Sequence, residues 1–110
     1  MLNDSFKIEF RFWISSNGQP FIGKGKIKLL QKIEETGSIR KAAGEMKLSY
    51  RKAYYSVDQI NNLAEEPVVI MIRGGKDGGK SMLTDYGKKL ITKYKNLENE
   101  ISTFLEKKSL

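Results

Sequence analysis

Apolar and polar residues alternate without a break from Phe6 to Ile14: Phe6, Ile8, Phe10, Phe12 and Ile14 share one face, Lys7, Glu9, Arg11 and Trp13 the other. A period of two over this length predicts a half-buried strand. Ser15-Ser16-Asn17-Gly18-Gln19-Pro20 supplies turn residues, and Phe21-Ile22 reads as a short returning strand that Gly23 and Gly25 break. The period then lengthens. Ile27, Leu30 and Ile33, with Leu29 beside them, predict a helix from about Gly25 to Thr36, and Gly37 is placed to end it in a left-handed conformation. Ser38 is a good N-cap for a second helix carrying Ile39, Ala42, Ala43 and Met46; Lys47-Leu48 is a short turn, and Ser49 caps a third helix. There Ala53, Val57, Ile60 and Ala64 form the inward face, while Arg51, Lys52, Tyr55, Ser56 and Gln59 point elsewhere.

Pro67 stops this third helix, and Val68 to Ile72 is a strand by composition. Residues 73 to 81 form a glycine loop with three cations, after which Met82-Leu83 pairs back. Thr84 or Asp85 caps a last helix to about Lys107, with Leu90, Tyr94, Leu97, Ile101 and Phe104 at alternating spacings of four and three. The order is a strand or hairpin (1–22), three helices (23–66), a two-stranded wing (67–83) and a long helix (84–108). That order predicts a single α+β, mainly helical domain over 1–110, a winged helix-turn-helix with an N-terminal hairpin and a long C-terminal dimerisation helix.

Charge sharpens this outline. The formal net charge is +7 in 110 residues, and it is unevenly placed: nine cations between Lys24 and Ser56 face three anions, whereas residues 1 to 23 balance. A basic surface around a helix pair favours a polyanionic partner. With no cysteine there is no disulfide or thiolate, and with no histidine the usual proton shuttle and commonest metal ligand are missing. The expectation is a protein that is not an enzyme and uses no metal or cofactor. No apolar run is long enough for a membrane span and no signal peptide opens the chain, which predicts a cytoplasmic protein with no membrane partner.

Gly74-Gly75-Lys76-Asp77-Gly78-Gly79-Lys80-Ser81 fits the G-x-x-x-x-G-K-[ST] pattern of a nucleotide-binding P-loop. A P-loop, however, needs a helix to begin at its Gly-Lys-Ser so that amides and dipole hold the phosphates, and here Met82-Leu83 intervenes before the cap. As a wing tip the same residues let backbone approach DNA phosphates, with Arg73, Lys76 and Lys80 adding charge; a plain hairpin tip is the bland alternative.

On the third helix, Ser49 and Tyr50 are candidates for phosphates, Arg51 and Lys52 for bases or phosphates in the major groove, and Tyr55 for a groove-edge contact. Ser38 and Arg40, at the start of the second helix, complete the candidate DNA-binding set. A solvated basic face on an ordinary core helix is the alternative. Tyr54 is expected at the edge of the core. The seam of Leu90, Tyr94, Leu97, Ile101 and Phe104 either folds back on its own domain or pairs with a second copy; its length favours a symmetric homodimer, to which Trp13 and Phe21 could contribute.

Gly37-Ser38-Ile39, Ala42-Ala43, Ser49-Tyr50-Arg51-Lys52-Ala53, Gly74-Gly75-Lys76 with Gly78-Gly79, Leu83-Thr84 and Gly87 together resemble the N-terminal DNA-binding domain of the molybdate-responsive ModE regulators, a LysR-type winged helix. The resemblance runs from about Gly23 to Leu97. It implies a dimeric transcription regulator that inserts Ser49 to Tyr55 into the major groove of double-stranded DNA and lays its wing on the flanking backbone. Tyr54 stands where the family usually has tryptophan, Ile70-Met71 where it has a charged pair, and Asp77 and Lys80 where glycine is common. The family's oxyanion-binding domain follows the last helix, beyond Leu110, so molybdate sensing is not carried over and any separate effector or sensor protein stays unassigned. The alternatives are a winged-helix protein-interaction or nonspecific DNA-binding module and, further off, nucleotide binding at Gly74 to Ser81.

Overall fold

The computed structural model describes residues 2–72, 79–108 and 110. Among them the order is β1 (Trp13–Ser16), β2 (Gln19–Gly23), α1 (Lys24–Thr36), α2 (Ile39–Glu45), α3 (Tyr50–Leu63), β3 (Val69–Ile72), β4 (Lys80–Leu83) and α4 (Asp85–Glu106). The fold is α+β and winged-helix-like. Three helices pack as a unit, a two-stranded wing follows, and the 22-residue α4 ends the order in a molecule measuring 60 × 28 × 21 Å.

The N-terminal strand is shorter than its sequence pattern. Alternation predicts it over Phe6 to Ile14, but β1 begins at Trp13. Its partner explains why: β2 pairs antiparallel with β1 only until Gly23 meets Trp13, and α1 starts at the next residue. Among the described residues no strand remains to pair with residues 6–12. The pattern survives in burial, since Phe10, Phe12 and Ile14 are half-buried and Arg11 and Trp13 exposed, but Phe6 and Ile8 are exposed as well. Asn17 and Gly18 join the strands with φ of 50° and 79°, the two positive values a tight type I′ hairpin turn requires.

The helices begin and end for local reasons. Gly37 closes α1 at φ 71°, donating its N–H to the Ile33 carbonyl at 2.8 Å. Ser38 Oγ accepts the Lys41 N–H and Ser49 Oγ the Lys52 N–H, each at 3.1 Å, so both expected N-caps are present. Between them Lys47 takes φ 57° and the Leu48 N–H returns to the Ala43 carbonyl at 2.9 Å, forming the helix-turn-helix corner. α3 ends at Leu63, short of Pro67; the Ser16 hydroxyl donates to the exposed end carbonyl of Leu63 at 3.1 Å, so the N-terminal hairpin closes this helix.

One core joins Phe21 and Ile22 to Ile27, Leu29, Leu30 and Ile33 of α1, Ile39, Ala42 and Ala43 of α2, Ala53, Val57 and Ile60 of α3, Val68, Val69 and Leu83 of the wing, and Tyr94 of α4. The wing is fastened to it at both strands. Asn61 Oδ1 accepts the N–H groups of Val68 at 2.8 Å and Val69 at 3.2 Å, and its Nδ2 donates to the Val69 carbonyl at 3.0 Å. The Ser81 N–H donates to the Gly37 carbonyl at 2.9 Å. Thr84 caps α4 by accepting the Gly87 N–H at 3.0 Å, while its hydroxyl donates to the Pro67 carbonyl at 2.7 Å. Gly87 is required there because a Cβ would lie 2.5 Å from the Val68 carbonyl oxygen.

The P-loop alternative fails at its helix. Lys80 opens strand β4 and the helix begins only at Asp85, so Gly79-Lys80-Ser81 does not stand at a helix N-terminus.

Candidate nucleic-acid interface

Ser49 ends the helix-turn-helix corner, and its cap orients the first turn of α3 outward. As a result Ser49, Tyr50, Arg51, Lys52 and Tyr55 are all exposed, Tyr55 to 59 %, while Ala53, Val57 and Ile60 hold the opposite face in the core. Tyr54 is half-buried against the core edge, as its position beside Ala53 predicts. Cations and rings are paired on this surface. The Arg51 guanidinium lies 5.7 Å from the centre of the Tyr55 ring, one helical turn away, and the Arg40 guanidinium lies 4.3 Å above the Tyr50 ring. Tyr50 in turn meets Tyr54 at 6.1 Å between centres. These stacks hold two long cationic side chains in place without neutralising them.

A cleft of about 410 Å³ lies between this surface and the wing, lined by Ser38, Arg40, Tyr50, Tyr54, Met71 and Lys80 among others. Arg40 from α2 and Lys80 from β4 therefore both border the cleft. Ser38 is half-buried and its Oγ is occupied by the cap, so its place in the set is structural as well. Arg73 and Lys76 lie outside the described residues, as does most of the glycine loop.

Two cations of the basic segment serve the fold. Lys26 Nζ donates to Gln59 Oε1 at 2.9 Å, linking α1 to α3, and burial lowers its pKa from the ordinary lysine value. Lys32 sits 3.3 Å from both Glu35 and Glu45, and hydrogen bonds to these carboxylates, Glu35 first, raise its pKa. Lys41, Lys47, Arg51, Lys52 and Arg40 are exposed around the α2–α3 corner, which concentrates the usable charge there.

On α4, Tyr94 is 1 % exposed: its ring stacks on Phe12 at 4.5 Å with 10° between planes, and its hydroxyl donates to the Phe12 carbonyl at 3.4 Å. Burial, aided by Glu98, raises the phenol pKa. Leu90, Leu97 and Ile101 are half-buried, and Phe104 is 58 % exposed with Lys108 Nζ 4.5 Å from its centre. The seam is thus covered by the chain's own N-terminal arm at Tyr94 and open at Phe104.

Sequence reasoning missed Asn61, whose amide orients the wing, and the use of Tyr50 as a platform for Arg40. An Asn-Asn pair just before a strand is a weak signal for the first; nothing in linear spacing announces the second. Among the described residues no group of three or more His, Cys, Asp or Glu could hold a metal ion, and no helix is long and apolar enough to cross a membrane.

No family model matches the chain. It is 44 % identical over 84 residues to the molybdenum transport protein ModE of Azotobacter vinelandii, covering 76 % of this chain and 31 % of that protein. It is 39 % identical over 88 residues to the molybdenum-pterin-binding protein MopA of Rhodobacter capsulatus, covering 80 % and 33 %. It is 38 % identical over 74 residues to the DNA-binding transcriptional dual regulator ModE of Escherichia coli (strain K12), covering 67 % and 28 %. The chain spans about a third of the length of the relatives it matches.

Proposed function

We propose that this chain is a ModE-like, LysR-type DNA-binding unit that reads a specific double-stranded site as a homodimer in the cytoplasm. The observation that carries this reading is the exposed start of α3, where Ser49, Tyr50, Arg51 and Lys52 are all open with Tyr55 one turn on, and where Tyr50 borders the cleft shared with the wing. Inserted in a major groove, that turn brings Arg51 and Lys52 to base edges, where a guanidinium matches guanine O6 and N7 bidentately. Ser49 and Tyr50 face phosphates on one side, and Lys80, with Arg73 and Lys76, faces the flanking backbone from the wing. The partly unpartnered seam of α4, Leu97, Ile101 and Phe104 above all, is assigned to the second copy. Similarity to relatives named as transcriptional regulators ModE supports the same class. The molybdenum in the relatives' names belongs to those proteins; the proposal is confined to DNA and a second copy.

A second reading, a winged-helix module that docks on protein or binds DNA without sequence preference, draws on the outer face of the wing, where Ile70, Ile72 and Met82 are all exposed. Selection of bound sites from random duplex DNA at near-physiological salt separates the two. Enrichment of a two-fold symmetric site is the expected result; recovery of bound DNA with no enrichment would replace the first reading by the second.

A further inference from the structure

We infer that residues 6–12 form an interaction strand for a second copy of this chain, pairing antiparallel with themselves about Ile8 across a two-fold axis. This rests on the dimer proposed above and names its joint.

The segment has the pattern of a strand and lacks only a partner. The Leu2 N–H donates to the Leu110 carbonyl at 2.9 Å, while Phe12 stacks on Tyr94. The arm therefore runs along the C-terminal half of α4, about 20 Å at 1.5 Å per helical residue, in about ten residues whose extended reach is about 33 Å, so it has length to spare for straightening into a strand. Its carbonyls and N–H groups are nonetheless open. Among the described residues, Phe6 N–H bonds to Asn3 and the Phe12 carbonyl to Tyr94, and the backbone of residues 7–11 bonds to no protein group. Beyond Trp13 the β1–β2 ladder has stopped, so the arm prolongs a sheet edge that invites strand addition. Two of its apolar residues, Phe6 at 52 % and Ile8 at 38 %, are still exposed.

Side chains identify the occupant, because the strand is complementary to itself. Antiparallel pairing about Ile8 sets Lys7 opposite the partner's Glu9 and Glu9 opposite the partner's Lys7, with Phe6 opposite the partner's Phe10. Both exposed apolar residues then gain a neighbour. Pairing about Glu9 would instead set Glu9 against itself and Lys7 against Arg11, like charges face to face. Pairing about Phe10 would match Glu9 with the partner's Arg11, but it would draw Phe12, whose carbonyl Tyr94 already engages, into the ladder opposite the partner's Ile8. An isologous two-fold joint needs one such self-complementary patch, and Ile8 is its centre.

The chain has no cysteine, so single-cysteine cross-linking is unambiguous. The full chain is first sedimented; a monomer at all concentrations would overturn the dimer itself and this joint with it. In a chain that sediments as a dimer, Lys7→Cys, Ile8→Cys, Glu9→Cys and Phe10→Cys are oxidised mildly. Disulfide formation peaking at Ile8→Cys, about tenfold above Glu9→Cys, is expected; a peak elsewhere or no cross-link overturns the joint while leaving the dimer standing. Glu9→Lys should weaken association about tenfold, and adding Lys7→Glu to it should restore the pair. A double variant as weak as the single one would also refute the pairing.

Discussion

Asn61 offers the sharpest test of how the wing is held. Its side chain supplies the acceptor for the N–H groups of Val68 and Val69 and the donor for the Val69 carbonyl, and both valines are buried. Asn61→Ala leaves three backbone groups without their partner. Each buried group so orphaned costs about 1–3 kcal/mol, and water entering the space of the lost amide offsets part of it, so a net loss of about 2–4 kcal/mol is expected. Urea unfolding should show a lower midpoint at unchanged slope, and amide exchange at Val68 and Val69 should accelerate more than at Ile33 or Val57. Asn61→Asp retains the acceptor but not the donor, and should fall between. DNA affinity should drop for Asn61→Ala even at temperatures where it is fully folded, because the wing is no longer held to α3. A loss below about 1 kcal/mol with unchanged exchange at the two valines would refute the clamp.

Four further outcomes follow from the geometry. Arg51→Ala should cost about 1–3 kcal/mol of binding and relax specificity at one base position; an equal loss on every sequence would make it a phosphate contact instead. Arg40→Gln should weaken binding on all sequences and lower the salt slope by about one unit, with Tyr50→Phe retaining the platform and Tyr50→Leu reproducing part of the loss in titrations at several salt concentrations. Gly87→Ala should lower thermal stability by about 1–3 kcal/mol, since its methyl would press on the Val68 carbonyl. Burial raises the Tyr94 pKa, so its contribution is complete below pH 10, near the ordinary phenol value, and is lost as pH climbs through the raised folded-state value; Tyr94→Phe should flatten the alkaline limb of a stability–pH profile.

What the sequence made legible was local. Ser38, Ser49 and Gly37 mark helix ends through their own side chains or φ, and the inward faces of α1 to α3 follow from spacing alone. The strand at residues 6–12 was misplaced because a strand exists only with a partner, and β2 is too short to supply one. The seam on α4 was visible as a period, but which neighbour covers Tyr94 depends on the path of the arm. Lys26 and Lys32 counted toward a basic surface until Gln59, Glu35 and Glu45 were found beside them in space. The exposed first turn of α3 follows from the Ser49 cap, whereas the Arg40–Tyr50 stack depends on the angle between two helices.

The hydroxyl of Ser16 closes the last turn of α3, and Ser16 ends the same β1 that carries residues 6–12. The helix proposed to read DNA and the strand proposed to join two copies are therefore both mounted on β1, without a tether between them. A pair of chains joined through that strand would act as a calliper, its two reading helices held at a set gap. The spacing between half-sites on DNA would then be set by the length of β1 between Trp13 and Ser16, and an insertion there would change which operators fit while leaving every base contact intact.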